Sequence, residues 1–236
     1  MNSQSAMTPH TERGLFGFDG RWASLPYVMG LVAFLHAVGL AGVVLFDAAL
    51  VLNLTVFNLM FSTLIVLGFG DPKNGGRWAM TGYITYAVEV LGVQTGFPFG
   101  EYAYGTRLGP HIYDTPPMIG VLWLVTLSGA VYWAERTLPT GRTWACRLAR
   151  AAIAATIMLA FDLIMEPVAM MTDFWNWADN TIPLKNYAAW WMIAFLLAWL
   201  WGGDRSRSFR TNRAGGLLLL VQTTFFIGLL VLPWTS

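Results

Sequence analysis

Three acidic residues stand inside stretches of sequence that are otherwise strongly apolar: Glu89, Asp162 and Glu166. A carboxylate at the centre of a membrane-spanning segment costs at least about 2.5–3.5 kcal/mol, so such residues usually serve a function. Asp162 and Glu166 are four residues apart and share one face of a helix. Two carboxyl groups on one face in a low dielectric do not both ionise readily. The spacing therefore predicts a protonated acid beside an ionised or hydrogen-bonded partner.

Aromatic residues follow both acidic positions. The segment after Glu89 is rich in glycine and proline as well, which predicts a tight, specifically folded turn. An aromatic belt at the membrane interface would explain part of this composition. The density of aromatics with glycines favours a pocket wall, and both clusters should lie close to the acids. The candidate substrate-binding residues are Phe97, Phe99, Tyr102, Tyr104, Trp175, Trp177, Asn186 and Tyr187.

These residue types suit chemistry on a carbon–carbon double bond. A protonated carboxylic acid in an apolar pocket can protonate a trisubstituted alkene, which gives a tertiary carbocation. Aromatic ring faces stabilise a desolvated cation by about 2 kcal/mol each. A second carboxylate can then act as general base on a water molecule that captures the cation. The candidate catalytic residues are accordingly Glu89, Asp162 and Glu166.

Composition predicts the elements that position these residues. Apolar residue types make up 56% of the 236 residues and charged types 11%, against about 25% charged in a typical soluble domain. Several apolar runs reach the roughly 20 residues that span a bilayer. They lack the alternation of barrel strands, so they must be helices. The sequence predicts an all-α, polytopic membrane protein with about seven transmembrane helices, at Leu25–Phe46, Leu50–Phe69, Trp78–Val93, Pro117–Trp133, Leu148–Met171, Tyr187–Trp201 and Gly215–Trp234.

Basic residues divide unequally between the two sides of this topology. Of the 14 Lys and Arg residues, 12 fall on the side of the N-terminus, and only Arg107 and Lys185 fall on the other. Because basic loops stay cytoplasmic, the N-terminus should be cytoplasmic, and an even number of spans would spoil the division. We predict a cytoplasmic segment at 1–24, a single transmembrane domain at 25–236, and a multi-pass location in the cell membrane.

The remaining composition argues against several other classes of protein. The chain has one cysteine and three histidines scattered along its length, without zinc spacing. We therefore expect neither a metal nor another cofactor. The net charge of +1 gives no reason to expect nucleic-acid binding.

Several segments resemble the membrane-integral carotenoid 1,2-hydratases, the family of γ-carotene 1′-hydroxylase and bisanhydrobacterioruberin hydratase. The longest is EVLGVQTGFPFGEYAYG at 89–105, and others lie at 107–110, 162–169, 174–177 and 182–187. The resemblance implies cofactor-free addition of water across the terminal 1,2 (1′,2′) double bond of an acyclic ψ-end group, giving a tertiary alcohol. It also implies lycopene, γ-carotene or a related polyene as substrate, with water, membrane lipid and other carotenoid-pathway enzymes as partners.

Two other functions stay open on the sequence. A small membrane-type carotenoid cyclase would share the protonation step, but an internal alkene would capture the cation, and the segment 162–177 looks somewhat like that family too. A non-enzymatic carotenoid-binding or transport protein is the second. The final span, Gly215–Trp234, contains no lysine for a retinal Schiff base, and no internal repeat points to a transporter.

Overall fold

The computed structural model describes residues 25–70, 75–138, 143–202 and 212–234. Over these ranges the chain is helical except for loops and a ribbon of two short strands. The predicted cytoplasmic segment 1–24 and several basic residues lie outside the described residues. The elements are α1 (Leu25–Leu45), α2 (Ala48–Leu52), α3 (Thr55–Gly68), α4 (Gly75–Thr95), β1 (Tyr102–Tyr104), α5 (Met118–Thr137), α6 (Trp144–Met171), β2 (Trp175–Trp177), α7 (Leu184–Gly202) and α8 (Arg213–Val231).

Among the described residues, five helical segments are long and apolar enough to cross a bilayer. They are α1, the α2–α3 segment Ala48–Gly68, α5, α6 and α8. Helices α4 and α7 have 21 and 19 residues, which is sufficient length at 1.5 Å per residue, but they are less apolar. Helix α4 carries Glu89 and several threonines, and α7 carries Lys185, Asn186 and four tryptophans. A mostly helical fold with several helices able to span a membrane is confirmed, and the count of seven spans and the cytoplasmic N-terminus stay predictions.

Helix α5 lies at the centre of the bundle. It packs against α3, α4, α6, α7 and α8, while α1 packs against α8 on the outside. Most of its side chains are buried, including polar ones such as Thr126 and Ser128, whose hydroxyls donate to the carbonyls of Leu122 and Val125 in the same helix. A helix buried all round is typical of the centre of a bundle.

Both ends of the bundle are fixed by polar contacts. At one end Asn212 caps α8 by accepting from Gly215 N at 3.1 Å, and its amide donates to the Val66 carbonyl at the end of α3 at 2.9 Å. At the other end Arg107 donates to the Ala49 carbonyl of α2 at 3.2 Å. The loops after α4 and α6 meet at this second end, so the ends of the helices that carry the three acids converge there.

Candidate active site

A two-stranded antiparallel ribbon joins the loop after α4 to the loop after α6. Tyr102 pairs with Trp177, and Tyr104 pairs with Trp175. Directly opposed residues of a ribbon project to the same face, and neighbours along a strand alternate. The four aromatic side chains therefore share the inner face, while Ala103 and Asn176 are exposed on the outer one. The two aromatic clusters seen in the sequence form one surface.

Glu89 receives three hydrogen bonds on its carboxyl group. The hydroxyls of Tyr102 and Tyr104 donate to Oε2 at 2.6 and 2.7 Å, and the indole of Trp123 in α5 donates to Oε1 at 2.8 Å. The Glu89 side chain is only 3% exposed. Burial together with the nearby Glu89 charge raises the pKa of both tyrosine hydroxyls above their ordinary value. Both phenols therefore remain protonated donors at physiological pH.

Glu166 is held in the same manner by the opposite strand. The indoles of Trp175 and Trp177 donate to Oε2 at 3.0 and 2.7 Å, and the amide of Asn186 donates to Oε1 at 2.9 Å. Every one of these donors is neutral, and the carboxyl group is fully buried. An indole N–H can only donate a hydrogen bond. Two donors therefore occupy the lone pairs of Oε2, and any acidic proton or further hydrogen bond of the carboxyl group must be on Oε1.

Asp162 lies one helical turn before Glu166 and behind it. Its Oδ2 accepts a long hydrogen bond of 3.4 Å from the same Asn186 amide that serves Glu166. Its Oδ1 is buried and has no hydrogen-bond partner among the described residues. One amide thus bridges two carboxyl groups, and a single proton shared between them would relieve the repulsion that two ionised groups would suffer.

Glu89 and Glu166 line the same small cavity. Its volume is about 10 Å³, close to the minimum that holds one water molecule. The ring centroids of Tyr102 and Trp177, which contribute to its wall, are 4.9 Å apart. The lining residues are Glu89, Phe99, Tyr102, Tyr104, Ile119, Glu166, Trp175, Trp177, Asn186 and Trp190.

Most of the residues predicted from the sequence meet at this cavity, and three do not line it. Asp162 sits behind Glu166, and Tyr187 is half-buried in the first turn of α7. Phe97 is 69% exposed, whereas Phe99 is 1% exposed. The tight turn after α4 explains this difference, because it directs Phe99 against Gly92 and Tyr102 and leaves Phe97 outside.

Three residues of the site are absent from the sequence-based predictions: Ile119, Trp123 and Trp190. Trp123 and Trp190 stack with ring centroids 3.8 Å apart. Trp123 lies within a long apolar run, and its spacing does not distinguish it from its neighbours. Its residue type is the one indication of a special role, because a buried Trp needs a hydrogen-bond acceptor for its N–H. That acceptor is Glu89, which the sequence places 34 positions away.

Gly92 sets the distance between α4 and the ribbon. A methyl group at this position would lie 2.7 Å from Phe99 and 2.8 Å from the Tyr102 hydroxyl. We expect Gly92→Ala to displace Tyr102 from Glu89 and to lower the catalytic rate about tenfold, although alanine favours the helix. Gly76→Ala in the same helix is the matched control, because nothing lies within 4 Å of its added methyl. Equal rates of product formation in membranes containing the two variants would contradict this role.

The fold and the site together define an integral membrane protein with paired, buried carboxyl groups around a small aromatic cavity. The profile of the carotenoid biosynthesis protein family matches residues 27–235, and the chain belongs to that family. It is also similar to bisanhydrobacterioruberin hydratase of Haloarcula japonica, with 32% identity over 115 residues. That alignment covers 48% of this chain and 39% of the relative, so the chain spans well under two thirds of the relative's length. No solved structure matches the chain.

The resemblance to carotenoid hydratases noted in the sequence is thereby confirmed at the level of the family. A role in carotenoid biosynthesis follows from it. The family does not specify the reaction, the carotenoid or the roles of the individual acids.

Proposed function

We propose that the protein adds water to the terminal 1,2 (1′,2′) double bond of an acyclic carotenoid ψ-end group, without a cofactor, and forms a tertiary alcohol. The observation that carries this proposal is that Glu89 and Glu166 both line one aromatic cavity of about 10 Å³. One of the two carboxyl groups can supply a proton and the other can accept one. The name of the relative from Haloarcula japonica, a hydratase, supports the same reaction class.

Glu166 is our proton donor. Its proton must sit on Oε1, because Trp175 and Trp177 both donate to Oε2. Asp162 shares the Asn186 amide with this oxygen, so the pair of carboxyl groups retains a proton. Transfer of that proton to C2 of the end group leaves a tertiary cation at C1 and a carboxylate on Glu166. The faces of Trp175, Trp177 and the ribbon tyrosines stabilise the cation.

Glu89 is our general base. Three neutral donors hold it as an acceptor, and its Oε1 keeps one lone pair beyond the bond from Trp123. A water molecule in the cavity would donate a proton to this lone pair while its oxygen bonds to C1. The product gains one water overall: Glu166 supplies the new hydrogen at C2, the water supplies the hydroxyl group at C1, and the other proton of the water stays on Glu89. A proton must pass from Glu89 to Glu166 before the next turnover, and the cavity that both groups line is the short path.

The topology of the membrane domain is part of this proposal. Seven spans with a cytoplasmic N-terminus would place 12 of 14 basic residues in the cytoplasm. The ribbon and the three acids would then lie near the outer surface of the cell membrane, where a water molecule reaches the cavity from the loops and a polyene reaches it from the lipid.

The decisive experiment is expression of the chain in cells that make lycopene or γ-carotene, followed by mass analysis of their pigments. We expect a product heavier by one water for each end group modified. A cyclase would convert the pigment without a change in mass. A binding or transport protein would retain unaltered pigment on purification, and either of these results would overturn the proposal.

A further inference from the structure

We propose that Trp123 of α5 is a positioning residue, which directs the remaining lone pair of Glu89 to the water molecule and so decides whether the cation is captured by water. This inference rests on the proposed function. Trp123 does not line the cavity, so it would act through Glu89 and not by touching the substrate. Its predicted effect is on the product: an alcohol where the lone pair is aimed correctly, and an unhydrated alkene where it is not.

The hydrogen bonds of Glu89 leave one place for a water molecule. A carboxylate presents about four lone-pair sites, two on each oxygen. The hydroxyls of Tyr102 and Tyr104 fill both sites of Oε2, and the indole of Trp123 fills one site of Oε1 at 2.8 Å. In the described part of the chain no other donor reaches this carboxyl group. A water molecule in the cavity can therefore be accepted only at the second site of Oε1.

The direction of that second site depends on Trp123. The last side-chain torsion of a glutamate has a broad distribution, so hydrogen bonds set the plane of the carboxyl group. Donors prefer to lie in that plane, along the lone pairs, and a donor fixed at one lone pair of Oε1 determines where the other one points. Both tyrosine donors belong to the loop that follows Glu89 in the chain, whereas Trp123 belongs to the helix at the centre of the bundle. It thereby fixes Glu89 relative to the rest of the fold.

Trp123 is itself held in one orientation. The residue is 1% exposed, and its ring stacks on the ring of Trp190 in α7, with centroids 3.8 Å apart and ring planes at 21°. Trp190 lines the cavity, so the stack joins the donor of Glu89 to a wall residue from a third helix. A side chain already fixed by packing gives up little further rotamer freedom when it makes a hydrogen bond, which suits it to set the orientation of another group.

The cation has two fates, and the orientation of Glu89 selects between them. In the first, the water oxygen bonds to C1 while Glu89 takes a proton from that water, which gives the alcohol. In the second, a carbon next to C1 loses a proton to a carboxylate of the site, and an alkene forms again. A misdirected lone pair does not hold the water against C1, so the second fate gains. Protonation by Glu166 comes before this branch, and the single N–H of Trp123 is donated to Glu89.

Removal of that N–H tests the role. Trp123→Phe removes the donor, and replacement of Trp123 by benzothienylalanine removes it while keeping the shape of the ring that stacks on Trp190. In D₂O we expect each change to lower the ratio of alcohol to deuterium-exchanged alkene about tenfold, the effect of one hydrogen bond. The sum of the two products, which counts protonation events, should stay unchanged. Trp133→Phe is the matched control, because Trp133 is also on α5, donates to the Gly216 carbonyl at 2.9 Å and does not line the cavity.

The outcomes separate this role from a structural one and from the proposed function. If the unmodified protein forms no alcohol, the proposed function fails whatever the variants do. If it forms alcohol, and the Trp123 replacements lower the ratio while Trp133→Phe keeps it, the positioning role is supported. The role would be overturned by an unchanged ratio in the benzothienylalanine protein, by the same drop in Trp133→Phe, or by an equal loss of both products. If Trp123→Phe lowers the unfolding temperature, the benzothienylalanine protein decides, because it preserves the packing of α5.

Discussion

Replacement of Glu166 by Gln is expected to lower hydration by about 10²–10⁴-fold, the usual contribution of a positioned general acid. The substitution keeps the size of the side chain and removes the acidic proton. The amide oxygen of Gln can face Trp175 and Trp177, which only donate, so the ribbon should stay in place. The measurement is the rate at which membranes containing equal amounts of protein form the tertiary alcohol.

Two comparisons sharpen this result. Asp162→Asn should be less damaging than Glu166→Gln, because Asp162 does not line the cavity and acts through the shared Asn186 amide. Asp162→Asn should also change the dependence of the rate on pH, whereas the loss of a purely structural contact would leave that dependence unchanged. Glu101→Gln removes an exposed carboxyl group from the same loop system and should leave the rate unchanged. Full activity of Glu166→Gln would exclude Glu166 as the donor.

The acids and their aromatic neighbours were predictable because each carries a local signal. An acidic residue within a membrane-spanning apolar run has a high free-energy cost, whichever helices the run packs against. Glu89, Asp162 and Glu166 can therefore each be recognised from the sequence around them. Glycine-rich turns beside aromatics also show in the sequence. The prediction that both clusters lie close to the acids agrees with the cavity, since both strands of the ribbon line it.

The pairing of the ribbon was not predictable in the same manner. Tyr102 and Trp177 are brought together across 75 residues by the ends of two helices, and strands of three residues carry no usable alternation. The sequence therefore identified the aromatics as pocket walls but missed their second property, which is hydrogen bonding to the acids. Four of them donate to Glu89 or Glu166.

Burial by other helices explains what the sequence did not reveal. Trp123 and Trp190 acquire their role only because α5 and α7 face each other at this height. Phe97 and Phe99 are equally aromatic in the sequence, and the turn alone decides that Phe99 is inside. Helix α4 is the least apolar of the long helices for a related reason, since it carries Glu89 of the site together with several threonines.

Glu89→Gln is expected to lower the rate of alcohol formation by about 10²-fold or more. Unlike Glu166→Gln, it should leave protonation of the alkene intact. In this variant Glu166 would still deliver its proton to C2, but no base would take the proton of the attacking water. The cation would then lose a proton again and return to an alkene. In D₂O the recovered carotenoid should therefore gain deuterium at its end group without gaining water, as mass analysis would show.

Glu166→Gln should give neither deuterium nor alcohol. Deuterium gain in Glu166→Gln and none in Glu89→Gln would reverse the two roles, whereas its absence from both would mean that the cation never forms without the complete pair.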